Sequence, residues 1–269
     1  MINSFENQVI MITGAARGQG RSHAIKFAEL GAKLIICDVC GDIEAIRYNL
    51  ATLSEFENLC NELELKTNHQ LVADVCDVRD GKSVSKLVKK GYEKFGRIDI
   101  LINNAGVCKI QSPFEIEEMD WNTIIGVNLT GTWNTCQTVI PIMKEQGYGR
   151  IINLSSVAGL KGIPNLAHYV AAKHGVVGLT KALAVDLALY GITVNSVCPG
   201  SVDTEMLSGL APEIGHSPEE AKEAFAGFHL LPGLVQPEDI TELVVWLASD
   251  ASKSVTGVAW NVDRGWLQH

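Results

Sequence analysis

Short apolar runs alternate with longer stretches of helical period along almost the whole chain, and this rhythm limits what it can fold into. Gln8–Thr13, Ala32–Cys37, Gln70–Ala73, Ile98–Asn103, Arg150–Leu154, Ile192–Cys198 and Val258–Val262 read as strands. Helical period runs from the glycine turn after Thr13 to about Leu30, then through Thr52–Lys66, Gly81–Phe95, Glu117–Glu145, His168–Leu189 and Pro237–Ala248. Several of the strands are apolar without alternation, as strands are when both faces of a sheet are covered. The pattern predicts the α/β class: a doubly wound parallel sheet of about seven strands with helices on both faces.

The chain has 269 residues, 46% of them hydrophobic and 20% charged, enough for a full core without disulfide or metal staples. No Pro/Ser-rich linker and no internal repeat interrupts it, so one domain over 1–269 is expected, and no metal. Lys+Arg 22 against Asp+Glu 31 leaves a net charge of −9, which argues against nucleic acid and anionic membrane surfaces as partners. The most apolar long stretch, 175–197, carries Lys181 and Asp186 and is broken by Gly191, so no segment is expected to span a bilayer. Met1–Gln8 has no positive leader region and holds Glu6. Seven scattered cysteines, an odd number, suit reduced thiols in a cytoplasmic protein.

One region breaks the rhythm. Residues 203–236 are rich in small and turn residues and enclose Ser217-Pro218-Glu219-Glu220, a capping-box helix start. A long excursion of this kind inside a domain predicts a lid over a binding site. Its apolar residues Met206, Leu207, Leu210, Phe225, Phe228, Leu230 and Leu231 are candidates to line a pocket, opposite Val157, Leu160 and Ile163.

Thr13-Gly14-Ala15-Ala16-Arg17-Gly18-Gln19-Gly20 follows the first strand and opens the first helix. Glycines there let the backbone turn sharply and approach a pyrophosphate, and the helix start offers free N–H groups and a partial positive charge. Twenty residues after Gly18 the second strand ends at Asp38, where a carboxylate accepts from adenosine ribose hydroxyls and repels a 2′-phosphate. NAD is therefore expected rather than NADP. Arg17 is basic, but Val39 offers no second cation for a 2′-phosphate. Cys37-Asp38-Val39-Cys40 also spells C-x-x-C; a redox role would place that motif at a helix start, whereas Cys37 belongs to the strand.

Tyr169-Val170-Ala171-Ala172-Lys173 opens a long helix and puts phenol and ammonium on one face. A nearby cation favours phenolate, so Lys173 is expected to lower the Tyr169 pKa and make it a general acid/base. Together with the glycine turn, Asp38, Asn103-Asn104-Ala105-Gly106, Asn128, Ser155-Ser156 and Pro199-Gly200 with Thr204, these residues fall in one order along the chain. On these motifs the chain resembles the short-chain dehydrogenase/reductase family over essentially residues 8–265. The resemblance implies a Rossmann-type fold and hydride transfer with a nicotinamide cofactor. It implies that Tyr169 exchanges a proton with the substrate oxygen, that Lys173 binds the nicotinamide ribose and tunes Tyr169, and that Asn128 anchors a water in a proton relay. The family's serine lies thirteen residues before the tyrosine, which selects Ser156 over Ser155 to hold the substrate oxygen. Gly14, Arg17, Gly18, Gln19, Gly20, Asp38 and Val39 would hold the adenosine and pyrophosphate. Asp74 and Val75 would flank the adenine, and Asn104, Ala105 and Gly106 would close its ribose side. Pro199, Gly200, Val202 and Thr204 would surround the nicotinamide amide.

The three-residue gap between Tyr169 and Lys173 excludes the longer Y-x-x-x-x-x-x-K pair of the enoyl reductases. Asp38 and Asp74 stand thirty-six residues apart, and the surplus runs from about Cys40 to Glu55. With Arg17–His23 and Tyr48–Thr52, that insertion resembles the carveol-dehydrogenase, or mycofactocin-coupled, branch. The branch implies NAD, sometimes held so tightly that an external carrier must reoxidise it, and a cyclic apolar alcohol or ketone, terpenoid- or steroid-like. Two other functions stay open. A 3-oxoacyl reductase of fatty-acid synthesis would want NADPH and a basic patch for an acyl carrier, against which Asp38 and the charge of −9 weigh. A non-catalytic NAD-binding regulator would show a broken catalytic set, and this one is intact. The resemblance further implies a homotetramer built through the two long helices and the C-terminal segment, where Trp260 and Trp266 lie.

Overall fold

Seven parallel strands form one sheet in the computed structural model of the chain, which describes residues 4–268. Met1–Asn3, the start of the segment expected to carry no leader, and His269 lie outside the described residues. The strands are β1 (Val9–Thr13), β2 (Lys33–Asp38), β3 (Leu71–Val75), β4 (Ile100–Asn103), β5 (Gly149–Leu154), β6 (Ile192–Pro199) and β7 (Ala259–Val262). They lie in the order β3-β2-β1-β4-β5-β6-β7. In β1, Met11 pairs with Ile35 of β2 on one side and Leu101 of β4 on the other. The helices are α1 (Gly18–Glu29), α2 (Leu53–Lys66), α3 (Gly81–Phe95), α4 (Glu118–Ile125), α5 (Gly131–Gln146), α6 (Ala167–Leu187), α7 (Glu205–Gly209), α8 (Pro218–Ala226) and α9 (Pro237–Ala248).

The unbroken apolar runs are explained by two cores, one on each face. Ile10 and Ile12 point to the side packed by Phe27 of α1, Leu63 of α2 and Val244 of α9. Val9 and Met11 point to the other, against Leu87 of α3, Val139 of α5 and Leu183 of α6. Each such side chain, fully buried, contributes about 1.5–3 kcal/mol. Buried Asp99 sets the start of the sheet: its Oδ2 accepts the Val9 N–H at 2.8 Å while Arg97 forks onto the same carboxylate. At the β3 edge, the Lys90 and Lys94 ammonium groups donate to the carbonyls of Ala73 and Leu71 at 3.2 and 2.9 Å.

Three segments differ from their expectation. The single helix expected over Glu117–Glu145 is interrupted by a π-helical turn, Gly126–Thr130. Asn128 lies in it, and its Nδ2 donates to the Ile124 carbonyl at 2.9 Å, occupying an acceptor of the regular helix and widening the turn. The Cys40–Glu55 insertion is not a surface appendage. Ile43, Ile46, Tyr48 and Leu50 are buried in a third apolar cluster with Leu210, against which Tyr169 also packs. Thr52 and Glu55 then form a capping box that starts α2. In 203–236, Ser217 and Glu220 form their capping box. Phe228, however, stacks on Trp266 at 5.0 Å between ring centroids, and Leu230 lies over Gly265. That half of the excursion packs onto the C-terminal segment rather than lining a pocket. All seven cysteines are free; Cys37 is buried within β2 and Cys40 follows it in the left-handed region at φ 50°. Neither opens a helix, so the C-x-x-C lacks the geometry of a redox motif.

His23 of α1 is fully buried, with Nδ1 2.7 Å from Thr241 Oγ1 of α9, and burial pushes its pKa down to about 3 from 6.5. Between those values the unfolded chain binds a proton that the folded chain refuses, so stability is whole above pH 6.5 and falls as pH drops toward 3. The loss is expected to be on the order of a few kcal/mol. Urea unfolding of wild type and His23→Gln, at neutral pH and in the middle of that window, checks this. The variant should be less stable at neutral pH but lose less on acidification, and equal losses would refute the assignment.

Candidate active site

The C-terminal ends of β1 and β4 lie side by side where the strand order reverses, and a cleft opens over them to solvent. Chain connections leave this point in opposite directions, which is why doubly wound sheets bind ligands there.

The floor of the cleft is the glycine turn. Gly14 and Gly18 adopt φ of 65° and 53°, in the left-handed region. A Cβ on Gly14 would lie 2.7 Å from the Ala105 Cα, and one on Gly20 only 2.0 Å from the Gly14 carbonyl oxygen. The two turns are tied together by Asn104, whose Nδ2 donates to the carbonyls of Thr13 and Gly14 at 3.0 and 2.9 Å. Thr13 Oγ1 in return accepts the N–H groups of Asn104 and Ala105. The first turn of α1 holds no acidic residue, and no side chain caps it. Its N–H groups and the positive end of its dipole are left to the cleft, as a pyrophosphate requires. Gln19, on the cleft wall, has a buried Oε1 without a protein partner.

Asp38 ends β2 on the cleft wall. Its Oδ2 accepts the Ala16 N–H at 3.0 Å and its Oδ1 the Val39 N–H at 2.8 Å. Burial raises its pKa, and these backbone donors work against that. Oδ1 also takes the Cys40 N–H at 3.5 Å, so Oδ2 is the oxygen that keeps a lone pair for a ribose hydroxyl. Arg17 also lines the cleft, and its Nη2 donates to the Asn49 carbonyl at 2.8 Å, tying the turn to the insertion. Asp74 and Val75 do not line the cleft. Asp74 pairs with Lys90 at 3.5 Å, and Val75 is exposed. Cys76, Asp77 and Val78 stand on the wall instead, because the cleft lies beyond the end of β3. The Asp-Val pair recurs at Asp77-Val78, nearer the α3 cap Asp80, and that repetition was the available signal.

Tyr169 and Lys173 lie in the first turns of α6, with Lys173 Nζ 5.5 Å from the Tyr169 ring centroid. Nζ donates to the Leu154 carbonyl at 2.9 Å. Ser155 is the serine on the cleft lining, and its Oγ donates to the Lys173 carbonyl at 2.9 Å and holds α6 against β5. Ser156 Oγ accepts the Ala158 N–H at 3.1 Å and stands beside Tyr169, where it favours the ionised phenol. Burial pushes Tyr169 up, with Ser156 acting against it, and pushes Lys173 down to about 8. This reverses the expected lowering of Tyr169, because desolvation by burial outweighs what the neighbouring ammonium contributes. Asn128 donates from Nδ2 to the Val107 carbonyl at 2.9 Å, and its buried Oδ1 has no protein partner. A Cβ on Gly106 would lie 2.9 Å from that Oδ1 and 3.6 Å from Lys173 Nζ, so the glycine leaves open the space between amide oxygen and ammonium.

Ala105, Pro199 and Thr204 also line the cleft, and Thr204 Cγ2 would meet a Cβ on Gly18 at 3.2 Å. Gly200 and Val202 lie behind it. A Cβ on Gly200 would come within 2.9 Å of the Asp263 Cα, and buried Val202 bridges Val235. The cleft also includes Ile43, Tyr48, Leu50 and Ala51 of the insertion and Met206 of α7, of which only Met206 was expected in a pocket. The apolar spacing of the insertion hinted at burial but not at which wall it would form.

With this geometry in hand, comparison with known proteins gives a consistent placement. The family model described as "Enoyl-(Acyl carrier protein) reductase" matches residues 14–267. The carveol dehydrogenase of Mycobacterium avium, solved in complex with NAD, is 37% identical, with a TM-score of 0.94 over 99% of this chain and all of that one. The (-)-trans-carveol dehydrogenase of Rhodococcus erythropolis is 39% identical over 97% of both chains. A 3-oxoacyl-[acyl-carrier-protein] reductase of Thermotoga maritima is 38% identical over 97% of this chain and 98% of its own. The chain belongs to the short-chain dehydrogenase/reductase family.

Gly106→Ala would fill the space between Asn128 and Lys173 while keeping an ordinary backbone conformation. It is expected to lower kcat by about tenfold or more with the fold intact, since small displacements at reacting groups cost this much. Steady-state rates beside a circular dichroism spectrum check this, and an unaltered kcat would refute it.

Proposed function

We propose that the chain is an NAD-dependent oxidoreductase that interconverts a secondary alcohol and a ketone on a cyclic, apolar, terpenoid- or steroid-like substrate. The observation that carries this is the meeting of Tyr169 and Lys173, with Ser156 beside the tyrosine, in one cleft with a pyrophosphate-type turn and Asp38. The donor set of the turn and the free lone pair on Asp38 Oδ2 fit NAD, which when bound supplies the hydride acceptor or donor. The chain supplies the rest. Ser156 holds the substrate oxygen where charge develops on it. The Tyr169 hydroxyl takes the proton from that oxygen in oxidation and returns it in reduction. Lys173 stabilises the phenolate and would hold the nicotinamide ribose. Asn128 Oδ1 takes up the water that carries the proton from Lys173 onward.

The substrate class rests on the apolar insertion and lid residues around Tyr169, and on the carveol dehydrogenases among the relatives. The 3-oxoacyl reductase of Thermotoga keeps a second reading in view. It would want NADPH and a basic face, and Asp38 and the net charge of −9 favour the first. We assign the protein to a reducing, cytoplasmic setting on its seven free thiols. Among the described residues no helix is long and apolar enough to cross a membrane. Val185 and Leu189, exposed at the end of α6, are assigned to contacts in a homotetramer, which sedimentation would test.

An NAD(H)-linked screen over cyclic alcohols and ketones, with an artificial electron acceptor present in case NAD does not exchange, should find turnover. No turnover on any of them would overturn the proposal. In Tyr169→Phe, turnover should fall by about 10²–10⁴-fold while NAD still binds. Asp38→Asn keeps an acceptor oxygen but removes the charge, so its kcat/KM preference for NAD over NADP should shrink; an unchanged preference would refute the ribose role.

A further inference from the structure

One side chain of the insertion hydrogen-bonds into the segment beside the catalytic pair. Tyr48 is buried, its Cβ is the nearest atom to the space a Cβ on Gly209 of α7 would take, at 2.6 Å, and its hydroxyl accepts the Cys108 N–H at 3.1 Å. Gly209 thus lets the lid helix seat flat against the tyrosine and hold its ring. Cys108 is itself buried, so no solvent replaces the tyrosine as acceptor for that N–H. The preceding residue, Val107, turns its carbonyl to Asn128 Nδ2 at 2.9 Å, and Gly106 before it borders the space between Asn128 Oδ1 and Lys173 Nζ.

We propose that Tyr48 is a positioning residue for proton transfer: by holding Cys108 it fixes segment 106–108, which orients Asn128 toward Lys173. The inference rests on the dehydrogenase reading for its kinetic consequence and on hydrogen bonds alone for its structural one. A seated lid and a seated insertion are then conditions for proton movement as well as for closure. The Tyr48 hydroxyl reaches the Asn128–Lys173 pair only through the backbone, so its loss, with the ring kept on the cleft wall, should slow the proton step without loosening the dinucleotide.

The variant is Tyr48→Phe, which keeps the ring against Gly209 and removes only the acceptor. Two measurements test it. Hydrogen exchange of the NAD-loaded protein without substrate should show faster exchange in peptides covering 104–110 and 124–130. Unchanged exchange in the second peptide overturns the coupling, whatever the protein's substrate is. In turnover, kcat should fall by about tenfold, with a larger solvent deuterium isotope effect and partial rescue by small amine buffers. NAD affinity should stay within about twofold, the expectation when a group acts on the chemical step rather than on binding. A fall in kcat with no change in isotope effect and no rescue would show a packing role and overturn the proposal, as would a large loss of NAD affinity. If the wild type turns over no alcohol or ketone but the exchange result holds, the dehydrogenase reading fails while the coupling stands.

Discussion

Two backbone turns touch at the centre of this protein with no room for a side chain between them. The Gly14 Cα faces the Ala105 Cα, and Gly20 faces the Gly14 carbonyl, at distances that a methyl group on either glycine would violate. Asn104 and Thr13 lock the contact with four hydrogen bonds. The start of α1, the end of β4 and the segment through Val107 to Asn128 all take their positions from it. Both the dinucleotide half and the proton-transfer half of the site therefore hang on one junction of bare backbone.

Burial then decides how the catalytic groups titrate. Isolated from water, a phenol resists ionising and an ammonium resists staying charged, and both effects are present at Tyr169 and Lys173. The two groups, nearly matched when free in water, therefore move apart in proton affinity: Tyr169 keeps its proton more firmly and Lys173 gives its own up more readily. The phenol is thus the proton-holding member of the pair, the form that can donate to a carbonyl oxygen.

Much of this was legible in the chain itself. The strands read from apolar runs lie within two residues of the observed ones, because a strand buried on both faces has no polar positions to blur it. Asp38 and the Tyr169–Lys173 pair stand on the cleft because they sit at strand ends and on one helix face. Less legible was anything decided by a contact distant in sequence. The π turn at Asn128 comes from a side chain competing for a carbonyl. Asp74 and Asp77 carry the same local pattern, and only the length of β3 separates wall from edge. Tyr48 looks like any aromatic in a loop until Cys108, sixty residues away, supplies the N–H it accepts.

The lysines over β3 have a consequence of their own. An outermost strand exposes unpaired peptide groups that can recruit a foreign strand. Here Lys90 and Lys94, from the neighbouring α3, occupy the carbonyls of Ala73 and Leu71. An incoming strand would have to displace two ammonium groups and accept their charge beside it. The sheet is thus guarded against open-ended growth on this flank, by the helix that also packs its interior.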